Sequence, residues 1–511
     1  MNELANIVAA KPLSTEQSVA IIGAGTMGRG IALVVASAGH KVYLYDIDAS
    51  ALSAGMKQIG LDLERMVAKG RISAGEKSSR LARIYPAGNL DLLAPAGLII
   101  EAVVENLSAK VELFRQVEDL VKPNTILATN TSSLSVTAIA AQLNRPRQVL
   151  GMHFFNPPML MPLVEVVTGL TTDNLVTNTV YATTLAWGKT PVLCKSTPGF
   201  IVNRVARPFY GEALRLKQEG ASSHEVLDAV FREGGGFRMG PFELMDFIGH
   251  DVNFAVTRTV YEEFFYDPRY KPSPLQKDLV DAGWLGRKSG RGFYLYDKSN
   301  NKAEVASAPI ASRPEAVTVE GELGPASVFI ERAQIAGIKV EKKAGEGIIR
   351  IDEVVLALTD GLTATERTAS SGDMVVLFDL VRDYNSAQRI AIAAGDQLDE
   401  PQVAKAVGFF QALGMKVSVI DDVPGLAVMR TVAMLINEAA DVVHQGVATV
   451  ADIDLAMMKG VNYPLGPLEW ASIVRPSRVL RVIENLASLY GEDRYRPSPL
   501  LRRVAVSGRN F

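Results

Sequence analysis

His153 and Glu165 are the two residues of this sequence whose types and spacing best suit general acid–base chemistry. His153 follows an apolar run at 149–152, and ligands of an open α/β sheet bind outside the carboxyl ends of its strands. Glu165 lies inside the apolar run 163–167 (LVEVV), where a carboxylate is costly unless a partner satisfies it. Two strands joined through 156–158 (NPP) would return Glu165 to His153. The two residues form either a catalytic pair, with the carboxylate fixing the imidazole tautomer, or a structural ion pair.

Two further polar residues could contact a reacting oxygen. Ser132 lies in the segment 130–134 (NTSSL), which follows a predicted strand and opens at the same edge of the sheet. Its hydroxyl could donate to a substrate oxygen or could cap a helix. Asn203 falls in the first turns of the helix predicted after Gly199, where its position alone favours a locally satisfied polar residue.

The segment 23–28 (GAGTMG) fits the G-x-G-x-x-G pattern of a dinucleotide-binding turn. An apolar strand precedes it, a helix follows it, and Asp46 stands at the end of the next strand. Gly23 permits the tight turn, Gly25 lets the backbone approach a pyrophosphate, and Gly28 lets helix and strand pack closely. Asp46 would accept the ribose hydroxyls of NAD and repel the 2′-phosphate of NADP. A glycine turn without a nucleotide is the alternative.

The elements that would position these residues alternate between strand and helix. A strand at Val19–Ile22, a helix at Thr26–Ser37 and a strand at Val42–Tyr45 are typical of a doubly wound parallel sheet. Further short apolar segments follow at 98–104, 125–129 and 149–152, and a helical segment lies at 110–121. We therefore predict an α/β domain with a Rossmann-type sheet over residues 18–195.

From residue 196 the sequence has long helical patterns, which predict an all-α domain over 196–297. Pro198 suits the first turn of its first helix, and Pro208 should kink or split that helix. Residues 298–325 are rich in Ala, Pro, Glu and Ser with little periodicity. This composition predicts a linker.

An internal repeat organises the second half. The segment 198–204 (PGFIVNR) recurs at 424–430 (PGLAVMR), an offset of 226 residues, and at the same offset 240–243 (GPFE) becomes 466–469 (GPLE). These matches in one register predict that the helical domain is duplicated. The duplicate would extend or replace a subunit interface.

The second copy is predicted to be degenerate. It comprises an α/β domain at 326–415, which lacks the glycine pattern, and a second all-α domain at 416–511. Met429 stands where the first copy has Asn203. We therefore expect no second nucleotide site and one active site per chain.

Composition and charge exclude several function classes. A chain of 511 residues with 48% hydrophobic and 21% charged residues is typical of a globular protein of several domains. A net charge of -3 gives no general attraction to nucleic acid or anionic membrane, so we expect neither as a partner. The single cysteine, Cys194, argues against a disulfide framework and a thiolate metal site, and we expect no metal. Without a visible export signal or membrane span, the sequence indicates the cytoplasm.

Five motifs, taken together, resemble those of the 3-hydroxyacyl-CoA dehydrogenases. They are 23–28 (GAGTMG), 101–106 (EAVVEN), 130–133 (NTSS), 153–158 (HFFNPP) and 197–204 (TPGFIVNR). The resemblance covers residues 18–297 and implies an NAD-dependent oxidation of an L-3-hydroxyacyl-CoA, as in β-oxidation of fatty acids. It implies that His153 and Glu165 are the catalytic pair and that Ser132 and Asn203 contact the reacting oxygen.

The resemblance also implies the ligand contacts. The residues expected around NAD are Gly23, Gly25, Thr26, Met27, Gly28, Asp46, Glu105, Lys110, Asn130, Asn156 and Lys288. The CoA of the substrate would lie against the helical pair after Asp46. There Lys69 matches a lysine of the family, whereas Asp62 stands where the family often has a serine.

The two-copy arrangement resembles the long members of the family, which oxidise (3S)-3-hydroxyadipyl-CoA to 3-oxoadipyl-CoA in phenylacetate catabolism. That substrate is favoured, with 3-hydroxybutyryl-CoA as the alternative. A non-catalytic acyl-CoA- or NAD-binding relative is a further alternative, against which the retention of His153, Glu165, Ser132 and Asn203 speaks. A homo-oligomer is compatible with the sequence, which does not give the number of subunits.

Overall fold

A computed structural model describes residues 11–296 and 305–511 of the chain. These residues form two compact units. The first unit contains the described residues up to Asn203 together with Gly446–Val461, and the second contains those of Arg204–Gln445 together with Asn462–Phe511. None of the described helices combines the length and the apolar character that crossing a bilayer requires.

The first unit is built on an eight-stranded sheet with helices between its strands, as predicted. Its strands are β1 Val19–Ile22, β2 Val42–Tyr45, β3 Ile84–Ala87, β4 Leu98–Glu101, β5 Ile126–Thr129, β6 Val149–Phe154, β7 Leu163–Thr168 and β8 Thr190–Lys195. Its helices are α1 Thr26–Ser37, α2 Ala49–Ala68, α3 Ala74–Leu81, α4 Leu107–Leu120, α5 Val136–Ala140 and α6 Asn174–Ala186. The strand order is β3-β2-β1-β4-β5-β6-β7-β8.

The strand order of this sheet explains where ligands can bind. All neighbouring strands are parallel except β6 and β7, which are antiparallel. The chain direction across the sheet reverses at β1, which pairs with both β2 and β4. Every residue of β1, β4 and β5 is buried, as expected for strands covered on both faces. The carboxyl ends of these strands therefore border the crevice of the switch point.

The remaining elements are a second sheet and fourteen helices in the described part of the chain. The strands are β9 Ala316–Glu320, β10 Lys339–Lys343, β11 Ile348–Ile351, β12 Val354–Leu358, β13 Met374–Phe378, β14 Arg389–Ala394 and β15 Lys416–Val419, in the order β10-β9-β11-β12-β13-β14-β15. The helices are α7 Val202–Val205, α8 Arg207–Gln218, α9 His224–Ala229, α10 Pro241–Ile248, α11 His250–Glu263, α12 Pro274–Asp281, α13 Phe329–Ile335, α14 Ala364–Ser371, α15 Glu400–Ala412, α16 Val428–His444, α17 Val450–Gly460, α18 Pro467–Val474, α19 Pro476–Tyr490 and α20 Pro499–Ser507. Helices α7 and α8 are separate, as Pro208 predicts.

The predicted linker at 298–325 is longer than the structure allows. Strand β9 lies inside it and pairs with both β10 and β11. Val317 and Val319 are buried in this strand, so a short apolar alternation was hidden within an otherwise linker-like composition. The second sheet thus begins before residue 326. The predicted boundary at 297 and the linker residues up to 304 lie outside the described residues.

Helix α17, which lies in the segment predicted as a second helical domain at 416–511, belongs to the first compact unit. It packs against β8 in the first unit, and the backbone N–H of Lys195 donates to the carbonyl of Val447 at 3.0 Å. A Cβ on Gly460 would lie 2.6 Å from the side chain of Leu163, so the helix approaches β7 closely at a residue without a side chain. The helical periodicity of the sequence predicts this helix, but it does not predict which strands the helix packs against.

In the second unit, Arg204 of α7 and Glu212 of α8 each form a buried ion pair with a residue of α16. Arg204 pairs with Glu438 at 2.6 Å, and Arg430 pairs with Glu212 at 2.8 Å. The hydroxyl of Tyr270 donates to Glu438 at 2.6 Å. Tyr495 donates to Glu212 in the same way, at 2.9 Å. Arg430 and Glu438 follow Arg204 and Glu212 by the 226 residues of the sequence repeat, so the two pairs are reciprocal.

Candidate active site

The register of β6 and β7 places His153 directly opposite Glu165. The distance from His153 Nδ1 to Glu165 Oε2 is 2.6 Å, and the two residues are 6% and 0% exposed. The predicted juxtaposition of the two side chains is therefore confirmed. Burial of both groups strengthens their electrostatic interaction because little water screens it.

The second oxygen of Glu165 fixes the carboxylate in place. Oε1 accepts the backbone N–H groups of Ile201 and Val202 at 3.0 and 2.9 Å, where α7 begins. A carboxylate can only accept, so a neutral His153 carries its proton on Nδ1 and presents a lone pair on Nε2. Phe155 and Phe200 flank the imidazole, with ring centroids 4.5 and 5.9 Å away. The arrangement holds the imidazole in one orientation and one tautomer.

The loop after β5 brings the two predicted oxygen-contacting residues together. Asn203 Nδ2 lies 3.4 Å from the carbonyl oxygen of Ser132, to which it donates. The backbone N–H of Ser132 donates to Glu105 at 2.9 Å. Asn130 Oδ1 accepts the backbone N–H of Phe154 at 2.9 Å, which ties this loop to the strand end that carries His153. The predicted residues Asn130, Ser132 and Asn203 thus lie together at the edge of the sheet that carries His153.

A cluster of Lys110, Glu101 and Glu105 contacts this loop. Lys110 Nζ lies 2.5 Å from Glu101 and 3.3 Å from Glu105, and the lysine side chain is 1% exposed. Burial pushes the pKa of Glu105 upward, but the charge of Lys110 and hydrogen bonds from Thr131 and Ser132 hold that pKa below its ordinary value. Lys110 therefore holds Glu105 ionised beside the crevice.

Glu101 was not among the predicted site residues. It ends β4, is fully buried, and accepts hydrogen bonds from Thr129 and from the backbone of Val103, each at 2.7 Å. A carboxylate at the carboxyl end of an apolar strand was the signal that could have identified it. The sequence does not show its side-chain partners, Thr129 and Lys110, because they lie on β5 and α4.

The glycine turn between β1 and α1 has the shape that a dinucleotide requires. Gly23 has φ of +106°, and a Cβ there would lie 2.5 Å from the carbonyl of Ala102. A Cβ on Gly28 would lie 1.7 Å from the carbonyl of Gly23, whereas one on Gly25 would meet nothing within 4 Å. The backbone at Gly25 therefore faces open space, and α1, which opens with Thr26 and Met27, has no side-chain cap on its N–H groups. These features fit a pyrophosphate.

Asp46 lies directly after β2 and reaches back to the glycine turn. Its carboxylate accepts the backbone N–H of Ala24 at 2.7 Å and that of Asp48 at 3.0 Å. These bonds orient the carboxylate at the crevice, where it fits the ribose hydroxyls of NAD.

Replacement of Asp46 by Ala should reduce the preference for NADH over NADPH. The variant loses the carboxylate that accepts from the ribose hydroxyls and the charge that repels a 2′-phosphate. The dissociation constant of NADPH divided by that of NADH should therefore fall at least about tenfold. Cofactor fluorescence titration measures both constants. Asp48→Ala, which removes only the N-cap of α2, is the matched control. A ratio unchanged in Asp46→Ala would contradict this role.

Three predicted ligand contacts rest on the resemblance alone. Asn156 follows β6, and Lys69 caps the C-terminal end of α2 with its side chain exposed. Lys288 belongs to the second unit, where its ammonium pairs with Asp251 at 2.5 Å. The contacts of these residues with NAD or CoA stay predictions.

Comparisons with known proteins cover nearly the whole chain. The model of the 3-hydroxyacyl-CoA dehydrogenase NAD binding domain matches residues 18–197, and that of the C-terminal domain matches both 199–296 and 425–510. Residues 356–424 match the reduced Rossmann-fold domain of 3-hydroxybutyryl-CoA dehydrogenase.

Individual relatives agree with these matches. The chain is 45% identical to the 3-hydroxyadipyl-CoA dehydrogenase of Escherichia coli over 96% of this chain and 98% of the relative. It is 41% identical to a probable 3-hydroxybutyryl-CoA dehydrogenase of Bacillus subtilis, over 56% of this chain and 99% of that protein. A crystal structure described as 3-hydroxybutyryl-CoA dehydrogenase from Escherichia coli has a TM-score of 0.89 and 44% identity, with 97% of this chain and 100% of that chain covered.

Proposed function

Because this chain belongs to the NAD-dependent 3-hydroxyacyl-CoA dehydrogenase family, we propose that it oxidises (3S)-3-hydroxyadipyl-CoA to 3-oxoadipyl-CoA. The observation that carries the choice of substrate is the likeness, over both copies, to the Escherichia coli relative named for it. On the same ground we propose a role in phenylacetate catabolism. We also propose a cytoplasmic location, which is supported by a lone, buried and unpaired Cys194.

The His153–Glu165 geometry supports the chemistry. A bound NAD would supply the acceptor for the hydride that leaves C3 of the substrate. His153 Nε2 takes the proton of the 3-hydroxyl group as the C–O bond becomes a carbonyl, and Glu165 stabilises the imidazolium through Nδ1–H. In the reverse direction the imidazolium returns the proton to the oxygen.

Ser132 and Asn203 hold the substrate oxygen in this proposal. The side chains carry a hydroxyl and an amide donor, and Asn203 already contacts the backbone of Ser132. Donors aimed at an oxygen steady it while its charge changes. Glu105, held by Lys110, keeps the Ser132 loop in place.

3-Hydroxybutyryl-CoA is the alternative substrate. The name of the solved Escherichia coli structure and that of the Bacillus subtilis relative favour it. A non-catalytic binding protein is less well supported, because the chain retains His153, Glu165, Ser132 and Asn203 and the His153–Glu165 hydrogen bond is formed.

A substrate profile tests the proposed function. We expect kcat/KM for 3-hydroxyadipyl-CoA to exceed that for 3-hydroxybutyryl-CoA by at least about tenfold, which is the scale of one well-placed polar contact. The matched control is 3-hydroxyhexanoyl-CoA, which has the same chain length without the terminal carboxylate. Equal or higher kcat/KM for the butyryl thioester would refute the adipyl assignment.

We propose that the second half is a duplicated, non-catalytic copy. The match of the C-terminal domain model to two segments supports this. The sheets support it too: β13 pairs with β14 and β14 with β15 in the register of β6, β7 and β8, shifted by the 226 residues of the sequence repeat.

This register assigns the catalytic positions of the second copy. Asp379 falls at the position of His153, and Ala391 falls at that of Glu165. The Asp379 carboxylate accepts the backbone N–H groups of Ala427, Val428 and Met429 at 2.7 to 3.0 Å. One carboxylate thus replaces the imidazole and also takes over the backbone contacts that Glu165 makes in the first copy. The second copy therefore lacks the imidazole base but keeps a carboxylate that accepts the first backbone N–H groups of the helix.

A further inference from the structure

A narrow cleft in the second unit is lined by three buried arginines, Arg207, Arg269 and Arg494. They are 6%, 4% and 8% exposed. The Nε atom of each is buried and has no hydrogen-bond partner among the residues that the structure describes. Unsatisfied buried donors are rare in folded proteins, and three on one cleft call for an acceptor.

The three arginines differ in how their charge is balanced. Arg269 pairs with Glu438 and Asp441, and Arg494 lies 3.5 Å from Glu212. Arg207 has no carboxylate within ion-pair distance in the described ranges.

The contacts that Arg207 does make are uncharged. Nη1 donates to the hydroxyl of Thr257 at 3.0 Å, and the guanidinium lies 4.8 Å from the ring centroid of Tyr210. Burial lowers the pKa of Arg207, as expected for a cation without a counter-charge. Water in the cleft could satisfy the Nε donors but would not neutralise the charge. A buried guanidinium without an anion is costly to the fold.

We propose that this cleft, named here the Arg207 cleft, binds a small oxyanion of the carboxylate or phosphate class. The planar fork of Arg207 suits two oxygens of such an anion, and the exposed Lys271 adds a second positive charge at the rim. Ser273 and Tyr210 also line the cleft. The site lies on residues that the proposed dehydrogenase chemistry does not use, so the two proposals can fail independently.

Thermal unfolding of the full chain tests the proposal. Sodium phosphate, acetate or succinate is titrated at constant ionic strength with sodium chloride as the reference, and saturating NADH occupies any phosphate site at the glycine turn. We expect at least one oxyanion to raise Tm in a saturable manner, since a ligand that binds only the folded state stabilises it. Comparison of the phosphate and carboxylate arms identifies the class of the anion.

Variants locate the effect. Arg207→Met keeps most of the volume and removes the charge, and we expect at least about tenfold weaker anion binding, whereas Arg207→Lys should retain part of it. Arg258→Met, at an exposed ion pair of α11, is the matched control and should respond like the wild type. If Arg207→Met does not fold, Thr257→Val, which removes the one hydrogen bond to Arg207, replaces it. A wild-type Tm that no oxyanion raises, or an undiminished response in Arg207→Met, overturns the proposal.

Discussion

The His153→Gln variant is expected to lower kcat by at least about a hundredfold, with NADH binding little changed. Glutamine can still accept from a substrate hydroxyl, but it cannot take the proton. The glycine turn and Asp46 are unaffected, since His153 bonds to Glu165 and not to them. Steady-state kinetics with 3-hydroxyadipyl-CoA and a fluorescence titration with NADH measure the two quantities.

The same substitution at the exposed His444 is the matched control and should leave kcat unchanged. A near-normal rate in His153→Gln would remove His153 from the mechanism. A rate close to half that of the wild type would instead indicate a second active site in the second copy, which the Asp379 and Ala391 positions argue against.

Glu165 should behave differently from His153 because it has two tasks. In Glu165→Ala the imidazole loses the acceptor that sets its tautomer, and the N–H groups of Ile201 and Val202 lose theirs. Both catalysis and the backbone contacts of Ile201 and Val202 therefore depend on this carboxylate, whereas His153 is the proposed base. This difference separates a positioning residue from the base itself.

The second large effect is expected at Glu438, whose replacement by Ala should destabilise the protein by about 3–5 kcal/mol. Glu438 is fully buried and accepts from Arg204 and Tyr270 at 2.6 Å and from Arg269 at 3.1 Å. Its loss leaves Arg204 buried without a carboxylate. Equilibrium urea unfolding at pH 7 measures the change in the free energy of unfolding of the second unit.

Glu262→Ala is the control, because it breaks an exposed pair with Arg258 and should change stability by less than about 0.5 kcal/mol. A change at Glu438 as small as this would show that the reciprocal pairs do not stabilise the helical copies. Such a result would also argue against the expectation that the duplicate extends or replaces a subunit interface.

The effect of Glu438 should depend on pH. Burial raises the pKa of Glu438, but Arg204 and Arg269 outweigh this and hold it below its ordinary value. A carboxyl group with a lowered folded-state pKa contributes stability above its unfolded pKa and loses it as the pH falls through the folded one. The loss in free energy of unfolding of Glu438→Gln relative to the wild type should therefore be constant from neutral pH down to about pH 5. It should become smaller below about pH 4.

The two helical copies therefore meet through charge as well as through apolar surface. Each copy supplies an arginine to the glutamate of the other, so Arg204 with Glu438 repeats as Arg430 with Glu212. In the sequence these residues appear only as members of a repeat. Their exchange between α7 and α8 of the first copy and α16 of the second requires both copies in one chain or an equivalent pair of chains.

The amino-acid sequence alone determined the local parts of this protein. The strand, glycine turn and helix from Val19 to Ser37 depend on neighbours a few residues apart, so pattern and glycine spacing were enough to predict them. The ordered motifs identified the family for the same reason, because each is a short segment with its own function. Pro208, which lacks a backbone donor, marked a helix boundary without any tertiary information.

The tertiary structure decided what depends on register and packing. It placed His153 opposite Glu165 across two strands, buried Lys110 between Glu101 and Glu105, brought β9 into a sheet and set α17 against β8. Each of these pairings joins residues that are distant along the chain, and their free energy comes from burial and satisfied polar groups that no local pattern records. For that reason the sequence could propose the catalytic pair, whereas only the fold could bring its two atoms to 2.6 Å.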